Sequence, residues 1–301
     1  MSSVASATEK GVVRPARAAD RQRIAELAYL ESFVHQHPGW FSPIEAVNER
    51  GFVVLESKNK LLAALSLQPE NRATAWVRLF AANINLSPKQ AWERLWDKAV
   101  QEMRESGIRW IAAMPFEEWF RALVAEHGFV PYQTVEVLVW KPQPLPEAKK
   151  AKGYHLRNMT PADLPEVAEI DSLSFGEFWS TNQKTLAEGL RRSVWARVVE
   201  EPNSKQLVGF QISTASPLGG HLARIAVHPK AQRKGLGYWL VHDVLTFFSH
   251  QNAEQVTLNT QGNNAVALGL YKRLGFRPTE EKFPVLYYSL DGTTPPSGGN
   301  M

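Results

Sequence analysis

"HPKAQRKGLGYWLVHDVL", residues 228–245, sets Gln232, Arg233, Lys234, Gly235, Leu236 and Gly237 between an apolar strand and an apolar helix. Glycine gives up more backbone freedom on folding than other residues, so two of them at one junction cost stability. The order strand, loop, helix places consecutive free N–H groups at a helix start, where the helix dipole also favours negative charge. Such a junction suits a phosphate or pyrophosphate. Gly235 and Gly237 let the backbone approach the ligand, and Arg233 and Lys234 add charge at its edge. The third glycine of a dinucleotide-binding fingerprint is missing, because position 240 is Leu, and no Gly-Lys-Ser/Thr of a P-loop is present. The competing reading is a loop that merely turns the chain.

Working outward, "HLARIAVHP" (221–229) is a strand with both faces largely covered, and residues 238–250 space Trp239, Leu240, Val244, Leu245 and Phe248 as a helix does. Upstream, "SVWARVVEE" (193–201) and "KQLVGFQIST" (205–214) are β-rich runs joined by "PNS", a hairpin signal. Downstream come a strand, "EQVTLNTQ" (254–261), and a helix, "NNAVALGLYKRLGF" (263–276), with Gly275 as a left-handed cap. Strands with helices inserted between them predict an α/β (α+β) fold, a mixed sheet flanked by helices.

The plan occurs twice. Residues 12–33 read as a short strand, an Asp-containing turn and an amphipathic helix, and residues 154–175 repeat them. Arg14 matches Arg157, Asp20 matches Asp163, and Phe33 matches Phe175. The halves close alike, in "HGFVPYQTVEVLVW" (127–140) and "LGFRPTEEKFPVLYYSL" (274–290). Self-similarity at this long period means duplicated domains rather than a solenoid. The expected organisation is a first domain at 11–140, an extended linker "KPQPLPEAKKAKG" at 141–153, a second domain at 154–290 and a disordered tail at 291–301. Segment 1–10 has no apolar period and is expected to be disordered too.

The duplication supplies an internal control. The first-half counterpart of the glycine loop is "NLSPKQAWERLWDKAV" (85–100), where Ser87, Pro88 and Gln90 form a good helix start by ordinary capping. It has no glycine, and Pro88 removes an amide. A fold that needs only a helix start therefore needs neither Gly235 nor Gly237, which favours an anion-binding loop in the second half.

Composition narrows the classes. The 301 residues are 44% hydrophobic and 21% charged, ordinary for a soluble chain with ample core. With no cysteine, a thiol nucleophile, disulfides and Cys-based zinc sites are excluded. The net charge of +4 is small and spread out, which argues against a nucleic-acid partner. No window has the length of a membrane span and the start lacks a signal-peptide core, so a cytoplasmic protein without a membrane partner is expected. No His, Asp and Glu cluster has metal-ligand spacing, and no metal is expected.

Three pieces in order carry a family resemblance: "ARIAVHP" leading into Gln232-x-x-Gly235-x-Gly237, then Asn264-x-x-Ala267-x-x-Leu270-Tyr271, then Leu274-Gly275-Phe276. Residues 154–290 resemble the GNAT superfamily of acyl-CoA-dependent N-acyltransferases. The whole resembles a tandem GNAT protein whose first domain is degenerate and lacks the pyrophosphate loop. The tandem plan is similar to that of mycothiol synthase, and the second half alone to the ribosomal-protein alanine acetyltransferase branch. The resemblance implies a sheet whose fourth and fifth strands splay into a V that takes the pantetheine arm of acetyl-CoA. The backbone of Ile225, Ala226 and Val227 would pair with that arm, and Gln232, Arg233, Lys234, Gly235, Leu236, Gly237 and Tyr238 would hold the pyrophosphate. Asn264 would hydrogen-bond the arm, and Tyr271 would sit near the sulfur.

The implied activity is acetyl transfer to a primary amine, on a small molecule or a peptide or protein N-terminus, within a ternary complex. Tyr271, with an ordinary pKa of about 10, can protonate a departing thiolate. His221 stands where many family members carry a carboxylate, and is the candidate base. The alanine-acetyltransferase branch has a Glu on the fifth strand where this chain has Asn259, which cannot act as a base; a water-relayed proton transfer is the alternative. Glu177, Phe178 and Trp179 of "SFGEFWS" (174–180) would border the acceptor pocket, or pack as a loop. Competing functions are a non-catalytic acyl-CoA-binding regulator, a thiol-conjugate acetyltransferase of the mycothiol-synthase kind and, last, a nucleic-acid module. Monomer and homodimer both remain open.

Overall fold

The computed structural model describes residues 11–147, 151–217 and 219–296. Segment 1–10 and residues 297–301 of the expected tail lie outside them. The described residues divide into two compact units, 11–130 with 287–293, and 131–286 with the residues from Thr294.

The first unit runs β1 (Val12–Pro15), α1 (Arg21–Leu30), β2 (Phe33–Gln36), β3 (Phe52–Ser57), β4 (Lys60–Pro69), β5 (Thr74–Ala82), α2 (Pro88–Glu105), β6 (Trp110–Ala113) and α3 (Glu118–Glu126). Its sheet follows the order β1-β3-β4-β5-β6, antiparallel except for the parallel β5–β6 pair. Helix α2 starts as its sequence dictates: the Ser87 side chain accepts from the Gln90 N–H at 3.2 Å, with Pro in the first turn. Ile24, Leu27 and Ala28 of α1 pack on Phe52, Val54, Ala64 and Leu79.

The second unit contains β7 (Val130–Trp140) from Pro131 onward, β8 (His155–Asn158), α4 (Leu164–Trp179), α5 (Gln183–Arg192), β9 (Trp195–Glu200), β10 (Leu207–Ser216), β11 (Gly219–Val227), α6 (Leu236–His250), β12 (Gln255–Gln261), α7 (Ala265–Arg273) and β13 (Arg277–Ser289), the last of these to Leu286. Its sheet order is β13-β7-β12-β11-β10-β9-β8. β11 and β12 pair parallel, as the α6 crossover between them requires. The core beneath α6 and α7 gathers Leu222, Ile225, Leu240, Val244, Leu258 and Tyr271.

Three expectations differ. The division falls at residue 130, ahead of the linker expected at 141–153, because β7 pairs β12 over Val256–Gln261 and buries Leu138 and Trp140 in the second unit's core. Residues 141–147 of the linker, though mostly exposed, are docked at three points: Leu145 packs on that core, Gln143 Nε2 donates to the Gly275 carbonyl at 3.2 Å, and His242 Nε2 meets the Pro146 carbonyl at 2.9 Å. The tail is also held at its start. In the first unit Arg109 pairs with Asp291 at 2.9 Å and Trp110 Nε1 donates to the Thr293 carbonyl at 3.0 Å.

The repeated Arg and Asp have a shared task. Arg14 donates both Nη atoms to Asp20 at 2.6 and 2.8 Å and its Nε to Glu56 at 2.7 Å. Arg157 does the same to Asp163, at 2.8 Å twice, and to Glu200. Each Asp also accepts a backbone N–H three residues before it, so it closes the turn while the Arg ties that turn to the sheet. The Arg14 guanidinium holds the Asp20 carboxyl down at about 2. Among the described residues no helix is long and apolar enough to cross a membrane.

Candidate active site

The site begins with a defect in a strand. β11 pairs β10 in register until Ser213 faces Leu222 and Ile212 faces Arg224, so Ala223 is an extra residue, a β-bulge. The same bulge ends the pairing with β12, whose last matched pair is Leu222 with Leu258. Beyond it the strands part. His228 donates its N–H to the Val208 carbonyl at 2.8 Å. Because alternate residues of an antiparallel strand point their backbone groups opposite ways, Ile225 and Val227 direct theirs away from β10 into the opening. The Val227 carbonyl there accepts from Gln232 Nε2 at 3.1 Å and Ser174 Oγ at 3.2 Å.

The glycine loop follows. Arg233 has φ 64° and Gly235 has φ 83°, both left-handed. For Arg233 that conformation costs about 1–2 kcal/mol. Alternating backbone of this kind turns successive N–H groups toward one point, a nest for an anion. Trp239 N–H, bonded to the Gly235 carbonyl at 3.0 Å, begins the helical ladder of α6. The amides of Leu236, Gly237 and Tyr238 lie ahead of it, and no side chain caps them. The two glycines serve different ends. A Cβ on Gly235 would meet nothing within 4 Å, so its φ alone demands glycine. At Gly237, where φ is ordinary, a Cβ would come within 3.3 Å of Leu270 Cδ2, and glycine keeps the helix start close to α7.

A cleft of about 1060 Å³ opens here, lined by Ile225, Ala226, Val227, Gln232, Arg233, Gly235, Leu236, Gly237, Tyr238 and Tyr271. Two residues of the expected cofactor set do not line it. Lys234 points to Tyr154, donating to its hydroxyl at 3.0 Å. Asn264 is buried and caps α7, its Oδ1 accepting the Ala267 N–H at 3.1 Å. Tyr271 is 3% exposed, and burial raises its hydroxyl pKa well above the ordinary value.

The other wall faces α4. His221 sits at the paired end of β11, outside the cleft lining, with Nδ1 2.9 Å from Thr257 Oγ1. Burial lowers its pKa, so the ring is neutral near pH 7. Thr257 can give its proton to the Gly220 carbonyl at 3.4 Å, which leaves the hydroxyl to accept from Nδ1–H and Nε2 with a free lone pair. Helix α4 breaks at Gly176, where φ is 69°. Beyond the break Glu177 is exposed, Phe178 is buried against Tyr132 at 4.4 Å, and Trp179 Nε1 donates to Gln133 Oε1 at 2.9 Å. The three residues assigned to acceptor binding thus divide: Phe178 packs as core, while Trp179 and Glu177 stay at the surface of that wall.

Sequence reasoning missed four contributors. Pro146 and Glu147 of the linker line the cleft, as do Val266 and Arg273 of α7. It also missed Asp171 and Arg224, paired at 2.6 Å beside the bulge. The linker residues carry no motif, and nothing local joins Asp171 to Arg224.

The model described as the acetyltransferase (GNAT) family matches residues 164–276, which contain the bulge, the nest and Tyr271. Over these residues the second half is similar to the GNAT acetyltransferase family. An N-alpha-acetyltransferase of Sulfurisphaera tokodaii is 29% identical over 160 residues, 48% of this chain and 92% of that protein. A mycothiol acetyltransferase of Saccharomonospora viridis is 29% identical over 157 residues, and the chain spans half of its length, matching over 46% of its own. Among solved structures, a tandem GNAT protein from the clavulanic acid biosynthesis pathway superimposes with a TM-score of 0.62, covering 95% of this chain and all of that one at 15% identity. A GCN5-related N-acetyltransferase from Kribbella flavida gives 0.68 at 14% identity, covering 94% and 72%. These structural likenesses bear on the fold: a mixed sheet with helices on its faces is the arrangement of these GNAT structures.

Proposed function

We propose that the second unit is an acetyl-CoA-dependent N-acetyltransferase that passes the acetyl group directly to a primary amine in a ternary complex. One observation carries the proposal: a strand edge that no strand pairs, a left-handed anion nest and a buried tyrosine share one cleft. Acetyl-CoA would supply the activated acyl group. The pyrophosphate fits the amides from Arg233 to Tyr238, where α6 adds its dipole. The pantetheine arm fits the backbone of Ile225 and Val227 as an added strand would.

Within that complex the chain's own groups divide the work. A β11 amide near Val227 that faces the opening is the donor for charge developing on the carbonyl oxygen. Tyr271, kept protonated by burial, is the donor to the departing sulfur. His221, neutral but outside the cleft lining, takes the amine proton through water. Asn264 acts through α7, whose first turn it caps. The mycothiol acetyltransferase likeness favours a second reading of the acceptor, a small amine that carries a thiol.

The test is calorimetric titration of acetyl-CoA into the intact protein and into the Gly235→Pro, Gly237→Val double variant. Proline cannot adopt φ 83°, and valine crowds the approach of α7. The expected outcome is one site, lost in the variant. A folded intact protein that takes up no acetyl-CoA would leave only an inherited fold.

A further inference from the structure

The two units share the bulged strand and differ in what covers its edge. In the first unit the register shift lies between Ser66 and Leu67, which makes Arg78 the extra residue and Leu79–Ala82 the counterpart of Arg224–Val227. There the edge is filled: β2 pairs antiparallel with Leu79–Ala82, residue for residue, from Gln36 back to Phe33. The unit has closed its own cleft with a strand. In the second unit the stretch that follows the equivalent helix does not become a strand. It stays helical to Phe175, breaks at Gly176 and carries on to Trp179.

A buried ion pair marks the difference. The buried helix positions Ile24, Leu27 and Ala28 of α1 recur as Val167, Ile170 and Asp171 in α4. Asp171 is fully buried, and Arg224 donates Nε and Nη2 to its two oxygens at 2.6 and 2.8 Å. Arg224 Nη2 also donates to the Trp179 carbonyl at 2.8 Å, and its guanidinium lies 3.6 Å from the centroid of the Phe175 ring. Thr181 N–H completes Asp171 at 2.7 Å. One guanidinium therefore fastens the helix body, the residue beyond its break and the bulge of β11. The first unit has Ala28 and Leu79 at these places, and no such bond can form.

We propose that the Asp171–Arg224 pair is a positioning lock that keeps residues 175–179 off the edge of β11, and so keeps the acyl-carrier cleft open. Its consequence for acetyl-CoA rests on the function proposed above. Its geometric content, an edge at Ile225 and Val227 that no strand pairs, does not. The lock acts through β11 and touches no reacting atom.

The test replaces Arg224 with the first unit's residue, Arg224→Leu, and measures amide hydrogen exchange over residues 224–228 together with acetyl-CoA affinity. The expected result is exchange slowed by about tenfold at the edge as the released segment adds to it. The acetyl-CoA Kd should rise by about tenfold or more. Arg157→Met breaks a pair of the same geometry away from the edge, and is expected to lower the thermal midpoint without either change. If Arg224→Leu does not fold, Asp171→Asn, which keeps the shape and removes the charge, is read the same way. Unchanged or faster exchange at 224–228 would overturn the lock, as would the same two effects in Arg157→Met. Slowed exchange in a protein that never bound acetyl-CoA would support the lock and refute the cofactor.

Discussion

Tyr271 and its neighbours show what a single side chain contributes. A tyrosine on the last helix of an α/β domain is ordinary core, and burial at 3% exposure agrees with that. Its place in the lining of the same cleft as Gly235 and Val227 separates it from the other buried aromatics. Tyr271→Phe keeps the packing against Phe276 and removes only the hydroxyl. With an amine found by screening, kcat is expected to fall by about 100-fold while the acetyl-CoA Kd stays within about twofold. Because burial raises this pKa above its ordinary value, the proton stays on through the neutral range, and its loss should not depress the rate below about pH 10. Gly235 and Gly237 were legible as a pair, but their separate reasons were not. A φ of 83° at one and a close helix at the other are facts of three-dimensional placement.

At the scale of elements, the same helix start is built twice by different chemistry. Helix α2 is capped by Ser87, and Ser87→Ala is expected to cost about 1 kcal/mol of stability, read as a lower denaturation midpoint. It should leave acetyl-CoA affinity unchanged, because the anion nest belongs to α6. Gly235 caps α6 with no side chain, which leaves its first amides for a ligand. Helix and strand positions in the second half follow the sequence closely, since each apolar run kept one period. The run after α1 did not declare itself: Phe33–Gln36 is short, and only the open edge of β5 makes it a strand.

For the whole molecule, the second unit is not the second half of the sequence. β7 lies between β12 and β13, its Trp140 facing Val256 and its Val137 carbonyl accepting from Thr279 Oγ1 at 3.1 Å. A chain that begins at Tyr154 lacks this strand and exposes the edge of β12 with its apolar neighbours. It is expected to aggregate on expression, whereas one that begins at Pro131 should yield more soluble protein, measured as the fraction remaining after centrifugation. Tyr132 and Gln133 go with β7, so the shorter chain also loses the partners of Phe178 and Trp179.

What the sequence determined by itself is whatever rests on local spacing: the duplicated plan, the helix starts, the glycine loop and the Asn264-to-Tyr271 helix. Each is written within a few turns of chain, where period, capping and φ preference act. The tertiary structure decided which strand completes which sheet, which opening stays free and which charges meet. Strand partners are chosen by edges left unpaired far along the chain. Asp171 and Arg224 lie 53 residues apart, and only the bulge of β11 beside the break in α4 brings them within 2.6 Å.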